Sequence, residues 1–257
     1  MSVAIVTGAA QGVGFSIAQL LAQKGYKVVL SDIDTEKGEE AAAQINQEHG
    51  EQTAIFVRCD LARLADVDQL FSTTRERLGG FSILINNAGF LRAPFLALSA
   101  QDIENTIAIN LTAPLYATQR AIQYWNDSPD PELRGQVVTV TSSSSFKTYA
   151  SILPYGAAKA GAAQFTFAAH AFAPRVRVNA VAPTAIATGF DQKQMRVATD
   201  RTGPGYTPEE EMRAMGLHRL QPVDVARGVL RCIEDESLAG KVLYLDAREG
   251  TQIHSSF

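Results

Sequence analysis

Short runs of β-branched and aliphatic residues alternate with longer amphipathic stretches along the whole chain. Val3–Thr7, Lys27–Ser31, Thr53–Arg58, Ser82–Asn86, Gln136–Thr141, Val176–Val181 and Lys241–Leu245 are nearly continuous in apolar character. Runs this short, without polar alternation, predict strands covered on both faces, as in a parallel sheet. Between them, Ser16–Lys24, Thr35–Glu48, Leu64–Leu78 and Ala157–Ala171 have the length and pattern of helices. Strand–helix alternation at this spacing predicts βαβ units with right-handed crossovers. The expected class is α/β, a doubly wound parallel sheet of about seven strands with helices on both faces.

Some boundaries carry their own signals. Ser99 followed by Asp102 predicts a capping box for a helix entering at Ala100. Pro222, followed by Val223 and Asp224, predicts the first turn of a helix ending near Glu234. With no linker, repeat or low-complexity tract, residues 1–250 read as one domain and 251–257 as a C-terminal tail. The least regular stretch is Gly189–Gly205, with Pro204 and Pro208 near its end. A loop of that length is either a solvated insertion or a lid over a substrate.

Composition narrows the function. With 46% hydrophobic and 19% charged residues, the chain lies far from the profile of disorder. A net charge of −4, with no basic cluster beyond Arg175 and Arg177, argues against a nucleic-acid partner. Cys59 and Cys232 offer neither a disulfide framework nor metal spacing and read as small buried hydrophobes. His49, His170, His218 and His254 are too far apart in sequence to pair on a metal, so no metal site is expected. The first strand leaves no room for a signal peptide, and no apolar run reaches the roughly 18 residues that span a bilayer. A cytoplasmic location without a membrane partner is expected.

The first chemical signal follows the first strand. Thr7-Gly8-Ala9-Ala10-Gln11-Gly12-Val13-Gly14 sets glycines where a backbone must turn tightly and approach a pyrophosphate. The helix after it aims free N–H groups at that negative charge, as in a Rossmann dinucleotide site. The spacing is G-x-x-x-G-x-G rather than the commoner G-x-G-x-x-G. Asp32 ends the second strand, 18 residues beyond Gly14. A carboxylate there accepts from both hydroxyls of an adenosine ribose and repels a 2′-phosphate. Gln11 adds no positive charge, and nothing basic follows Asp32 until Lys37, so NAD is expected over NADP.

The second signal is Tyr155-Gly156-Ala157-Ala158-Lys159. Four residues apart on a helix, a phenol and an ammonium share one face. A free phenol, with a pKa near 10, is a poor base at neutral pH. A neighbouring cation favours the phenolate and makes it a usable acid/base.

The loop at Thr7–Gly14, Asn86-Asn87-Ala88-Gly89 after the fourth strand, Asn110, Ser142, and Tyr155 with Lys159 together resemble the short-chain dehydrogenase/reductase family across essentially the whole chain. The resemblance implies a single dinucleotide-binding and catalytic domain that transfers a hydride between NAD and a secondary alcohol or ketone. It implies that Tyr155 is the acid/base and that Lys159 holds the nicotinamide ribose. Ser142 would hydrogen-bond the substrate oxygen, and Asn110 would hold a helix bend and a water leading to Lys159. Gly8, Gln11, Gly12, Val13 and Gly14 would cradle the cofactor, with Asp60 and Leu61 near adenine. Asn87, Ala88, Gly89, Pro183 and Ile186 would line the cleft, and Thr188 would bind the carboxamide. A homodimer or homotetramer is implied, paired through the helices beginning near Asn110 and Pro154, with Gly156, Ala160, Ala163 and Phe167 as the contact face.

Two positions depart from the family pattern: Thr184 follows Pro183 where glycine is usual, and Asp246-Ala247-Arg248-Glu249-Gly250 replaces Asp-Gly-Gly. Ile233–Gly240 followed by an apolar strand is similar to the branch of NAD-linked 15-hydroxyprostaglandin dehydrogenase, which implies an apolar small-molecule substrate. The branch also calls into question the family's usual tetramer contact through the last strand. Phe90, Leu91, Phe95, Phe146, Tyr149, Phe190 and Met212 are the candidate pocket residues. Two other readings remain open: a carbonyl reductase working in the reductive direction, and a cofactor-binding regulator without turnover.

Overall fold

The computed structural model describes residues 2–188 and 219–256; the Gly189–Gly205 lid, Phe190 and Met212 lie outside them. Along the chain run β1 (Val3–Thr7), α1 (Gly12–Gln23), β2 (Lys27–Asp32), α2 (Thr35–His49), β3 (Ala54–Arg58), α3 (Leu64–Leu78), β4 (Ile83–Asn86) and α4 (Ala100–Ile107). There follow α5 (Ala113–Asn126), β5 (Gly135–Val140), α6 (Leu153–Ala168), β6 (Val176–Pro183), α7 (Pro222–Glu234), β7 (Val242–Asp246) and β8 (Gly250–His254). One sheet holds them in the order β3-β2-β1-β4-β5-β6-β7-β8. The order reverses direction between β1 and β4, where the loops that follow the two strands diverge and open a crevice.

The strands are apolar on both faces because both are covered. On one side Ile17, Ala18 and Leu21 of α1 share a core with Val225, Ala226 and Val229 of α7. On the other, Val67, Leu70 and Phe71 of α3 meet Ala117, Ala121 and Trp125 of α5. Trp125 is fully buried, and its indole N–H donates to the Phe81 carbonyl at 2.8 Å, which satisfies its one polar atom.

Helix α7 starts as the sequence predicts, with Pro222 in its first turn and the Asp224 carboxylate accepting from Gln221 N–H at 2.9 Å. Its end is held from the sheet. The Arg177 guanidinium on β6 donates to the carbonyls of Cys232, Asp235 and Leu238, each at 3.0 Å, and to Ile233 at 2.7 Å. A buried cation at a helix C-terminus meets both the unpaired carbonyls and the negative end of the dipole.

Among the described residues, eight strands replace the expected seven or so. Gly250–His254, mostly within the stretch read as a tail, pairs antiparallel with β7. The reversal is folded by Asp246, whose carboxylate accepts from the N–H groups of Arg248 and Glu249 at 2.8 and 3.1 Å. Two of the four positions expected as a contact face on α6 need correction, while Gly156 and Ala160 stay partly exposed. Ala163 and Phe167 point inward and pack with Ala180, Ala182, Val242 and Tyr244. Ala157, Gln164 and Ala168 are the exposed positions of that helix beyond its first residue.

Candidate active site

The crevice floor is built by two loops locked to each other. The Thr7 hydroxyl accepts from the N–H groups of Asn87 and Ala88 at 3.1 and 3.2 Å. The Asn87 amide in turn donates to the carbonyls of Thr7 and Gly8 at 2.8 and 3.1 Å. Asn87 thus spends its side chain on the loop after β1, and Thr7, which the sequence reading put in the loop without a role, is the acceptor that joins the two loops. Its signal was a lone hydroxyl at the end of an otherwise apolar strand.

That tight packing explains two glycines. A Cβ at Gly8 would lie 2.7 Å from the Ala88 Cα, and one at Gly14 would lie 2.1 Å from the Gly8 carbonyl oxygen. Gly12 differs. Its φ of +62° excludes most side chains, and the nearest atom to a Cβ there would be the Thr188 methyl at 3.9 Å. The loop is therefore close-packed against β4 and open over Gly12, where the first N–H groups of α1 have no helical acceptors. Exposed Gln11 and Gly12 face that opening, while Val13 packs partly into the core. This shape fits the pyrophosphate of a dinucleotide.

Asp32 sits at the end of β2, half-buried. Its carboxylate accepts from Ala10 N–H and Asp34 N–H, both at 3.1 Å, so it is fixed beside the glycine loop with lone pairs to spare. Arg58 lies across from Asp32 in the parallel register of β2 and β3, a basic neighbour hidden by sequence distance. Its guanidinium is 3.7 Å from Asp66. Asp60 turns its carboxylate to Ala62 N–H at 3.0 Å, and Leu61 packs partly against the core. Beyond β6, Ile186 bridges to Leu220 and Thr188 N–H donates to Ile186 at 2.9 Å.

The ends of β5 and α6 bring the reactive groups together. Pro154 lies in the first turn of α6, Tyr155 follows half-buried, and Lys159 lies one turn further in. The Lys159 ammonium is 5.5 Å from the centroid of the Tyr155 ring. It donates to the Val140 carbonyl at 2.9 Å, and burial pushes its pKa down to about 8. Ser142 follows β5 in extended conformation, and its hydroxyl accepts from Ser144 N–H at 3.2 Å. The chain then enters a 3₁₀ turn, Ser143–Ser145, whose three side chains are buried. Ser145 Oγ donates to the Lys159 carbonyl at 2.9 Å, tying the turn to α6.

Asn110 is fully buried in a single π-helical turn, Ala108–Thr112, between α4 and α5. Its amide donates to the carbonyls of Phe90 and Thr106 at 2.5 and 2.9 Å, and its oxygen accepts from Phe90 N–H at 3.3 Å. It therefore fastens the loop after β4, including exposed Gly89, to the widened helix. Such π-turns concentrate at functional sites.

The expected pocket residues divide. Phe90 and Phe95 are half-buried, Tyr149 is exposed and Leu91 is buried. Phe146 turns away, into an aromatic group with Tyr244 and His254. Thr184 Oγ1 is buried with no hydrogen-bond partner among the described residues. Cys59 and Cys232 are buried free thiols, both pushed up to about 12 by desolvation, which makes them unreactive. Among the described residues, no cluster of histidine, cysteine and carboxylate side chains could hold a metal, and no helix is long and apolar enough to cross a membrane.

The short chain dehydrogenase family model matches residues 2–198. Short chain dehydrogenase helC of Aspergillus fumigatus is 70% identical over 257 residues, the full length of both chains. The NAD(+) 15-hydroxyprostaglandin dehydrogenase of Mus musculus is 28% identical over 96% of this chain and 91% of its own. Among solved structures, 3-ketoacyl-(acyl-carrier-protein) reductase from Brucella melitensis, complexed with NADH, is 25% identical, with a TM-score of 0.83 over 96% of this chain and 97% of that one. Actinorhodin polyketide ketoreductase, solved with NADPH, shares the fold at 23% identity, with a TM-score of 0.84 over 95% of each chain.

Proposed function

The chain belongs to the short-chain dehydrogenase family, and on that premise we propose that it transfers a hydride between NAD and an apolar secondary alcohol or ketone. The observation that carries the reading is the buried Lys159 ammonium 5.5 Å from the Tyr155 ring centroid and bonded to the end of β5, the strand that Ser142 follows. Bound over that loop, a nicotinamide dinucleotide supplies the hydride acceptor or donor. The residues of the chain do the rest. In oxidation, Tyr155 as phenolate takes the hydroxyl proton while the carbinol carbon gives up hydride. Ser142 Oγ donates a hydrogen bond to the substrate oxygen as its charge develops. The ammonium of Lys159 favours the phenolate, and Asn110 keeps the loop at Phe90 against the π-turn.

Support for NAD comes from the fixed Asp32 carboxylate, which suits ribose hydroxyls and repels a 2′-phosphate. Support for an apolar substrate comes from Phe90, Phe95 and Tyr149, aromatic side chains left at least partly exposed, and from the prostaglandin dehydrogenase likeness. The ketoacyl reductase likeness favours a second reading, the same step run from ketone to alcohol. The reading includes a cytoplasmic homodimer or homotetramer, whose contact would use the outward face of α6 at Ala157, Gln164 and Ala168.

A panel of secondary alcohols with NAD, and of ketones with NADH, followed by NADH absorbance, tests the proposal. Turnover in either direction supports it. Tight NADH binding with no turnover across the panel would favour a regulator.

A further inference from the structure

His254, the last residue of β8, stacks on Phe146 with ring centroids 4.7 Å apart and planes at 29°. Tyr244 completes the group, its ring centroid 6.0 Å from each of the other two. Phe146 closes the turn that starts at Ser142. Ser145 N–H donates to the Ser142 carbonyl at 2.9 Å, and the N–H groups of Phe146 and Lys147 both donate to Ser143, at 3.0 and 2.9 Å. A turn cross-linked in this way moves as one body. It has one anchor on α6, through Ser145 Oγ and the Lys159 carbonyl. The aromatic stack is a second, beside the packing of Phe146 on the cluster that holds Ala163, Phe167 and Val242 and the Lys147 ammonium 5.4 Å from the Tyr244 ring centroid.

Strand β8 buries little for its own sake. Gly250, Thr251, Gln252 and Ile253 are exposed, and His254 is the strand residue that turns inward. We propose that β8 holds the serine turn in place, with His254 the positioning residue that acts on Ser142 through Phe146. The proposal rests on the reading of Ser142 as donor to the substrate oxygen. A shift of about 1 Å in such a group can cost about a hundredfold in rate. Loss of the stacking anchor should cost about tenfold.

The test compares His254→Ala and His254→Phe with the wild-type chain, by amide hydrogen exchange over residues 142–147 and by steady-state kinetics. In His254→Ala, exchange at Ser145 and Phe146 should rise about tenfold and kcat/KM should fall about tenfold, with the NADH dissociation constant within about twofold. His254→Phe keeps the stack and should restore both. Unchanged exchange, a loss that phenylalanine does not restore, or a parallel loss of NADH affinity would overturn the proposal. If the wild-type chain turns over no alcohol or ketone, the hydride-transfer reading fails, and exchange at the two amides still decides whether β8 anchors the turn.

Discussion

The ammonium of Lys159 donates to the Val140 carbonyl at 2.9 Å, inside a shell that leaves the side chain 3% exposed. One neutral acceptor does not replace the water that such a cation loses, and its pKa falls from 10.5 to about 8. Below that pH both the folded and unfolded chains carry the proton, and the folded chain bears the desolvation cost. Between about 8 and 10.5 the folded chain releases the proton while the unfolded chain keeps it, so this contribution to stability rises with pH. Lys159→Met should therefore exceed the wild type in stability at pH 7, by up to about 3 kcal/mol. The gap should narrow to less than about 1 kcal/mol by pH 10. Urea unfolding of both proteins at the two pH values measures it, and a gap independent of pH refutes the assignment.

Tyr155→Phe should lower kcat at least about a hundredfold while NADH still binds, since the phenol is not needed for the adenosine half. Ser142→Ala should lower kcat/KM by about tenfold to a hundredfold, the scale of one hydrogen bond to a developing oxyanion. Ser145→Ala should act differently. It removes the bond to the Lys159 carbonyl and should cost about 1 kcal/mol of stability. Kinetics and unfolding of the three variants separate these roles; near-full turnover by Tyr155→Phe would exclude it as the acid/base.

The cofactor preference depends on Asp32 and its neighbour Arg58. NAD should be preferred over NADP by at least about tenfold, equivalent to about 1.4 kcal/mol. In Asp32→Ala the carboxylate is gone and Arg58 is the adjacent cation in the sheet, so the preference should move toward NADP. Specificity constants for both cofactors measure this. Equal constants in the wild type would show that Asp32 does not discriminate.

Arg177→Met should be among the more destabilising single changes. It leaves the carbonyls of Cys232, Ile233, Asp235 and Leu238 without their shared donor. Charge-assisted bonds of this kind contribute about 1.5–3 kcal/mol each, so a loss of at least about 3 kcal/mol is expected. A midpoint shift in urea too small to account for that loss would mean that the end of α7 finds other donors.

Much of the frame was legible because parallel strands buried on both faces leave unbroken apolar runs, and a tyrosine and lysine four apart can only share a helix face. The parts that escaped did so for physical reasons. Gly250–His254 is short, polar and exposed, so β8 leaves no hydrophobic period to read. Helix α6 is apolar almost all round, so its sequence does not say which face turns inward, and Ala163 and Phe167 proved to be core. An extended serine run would alternate, with Ser143 turned away from Ser142 and Ser144. The 3₁₀ turn after Ser142 ends that alternation and buries Ser143, Ser144 and Ser145 together. Arg58 was missed because pairing across the sheet, rather than distance along the chain, makes it a neighbour of Asp32.

The clamp between Thr7 and Asn87 has a kinetic consequence. Those hydrogen bonds form when the chain folds, so the conformational entropy of ordering the crevice floor is lost then and not when a dinucleotide arrives. Encounter with that floor should resemble docking on a rigid surface, with an observed rate that climbs linearly with ligand concentration and no plateau from a prior isomerisation.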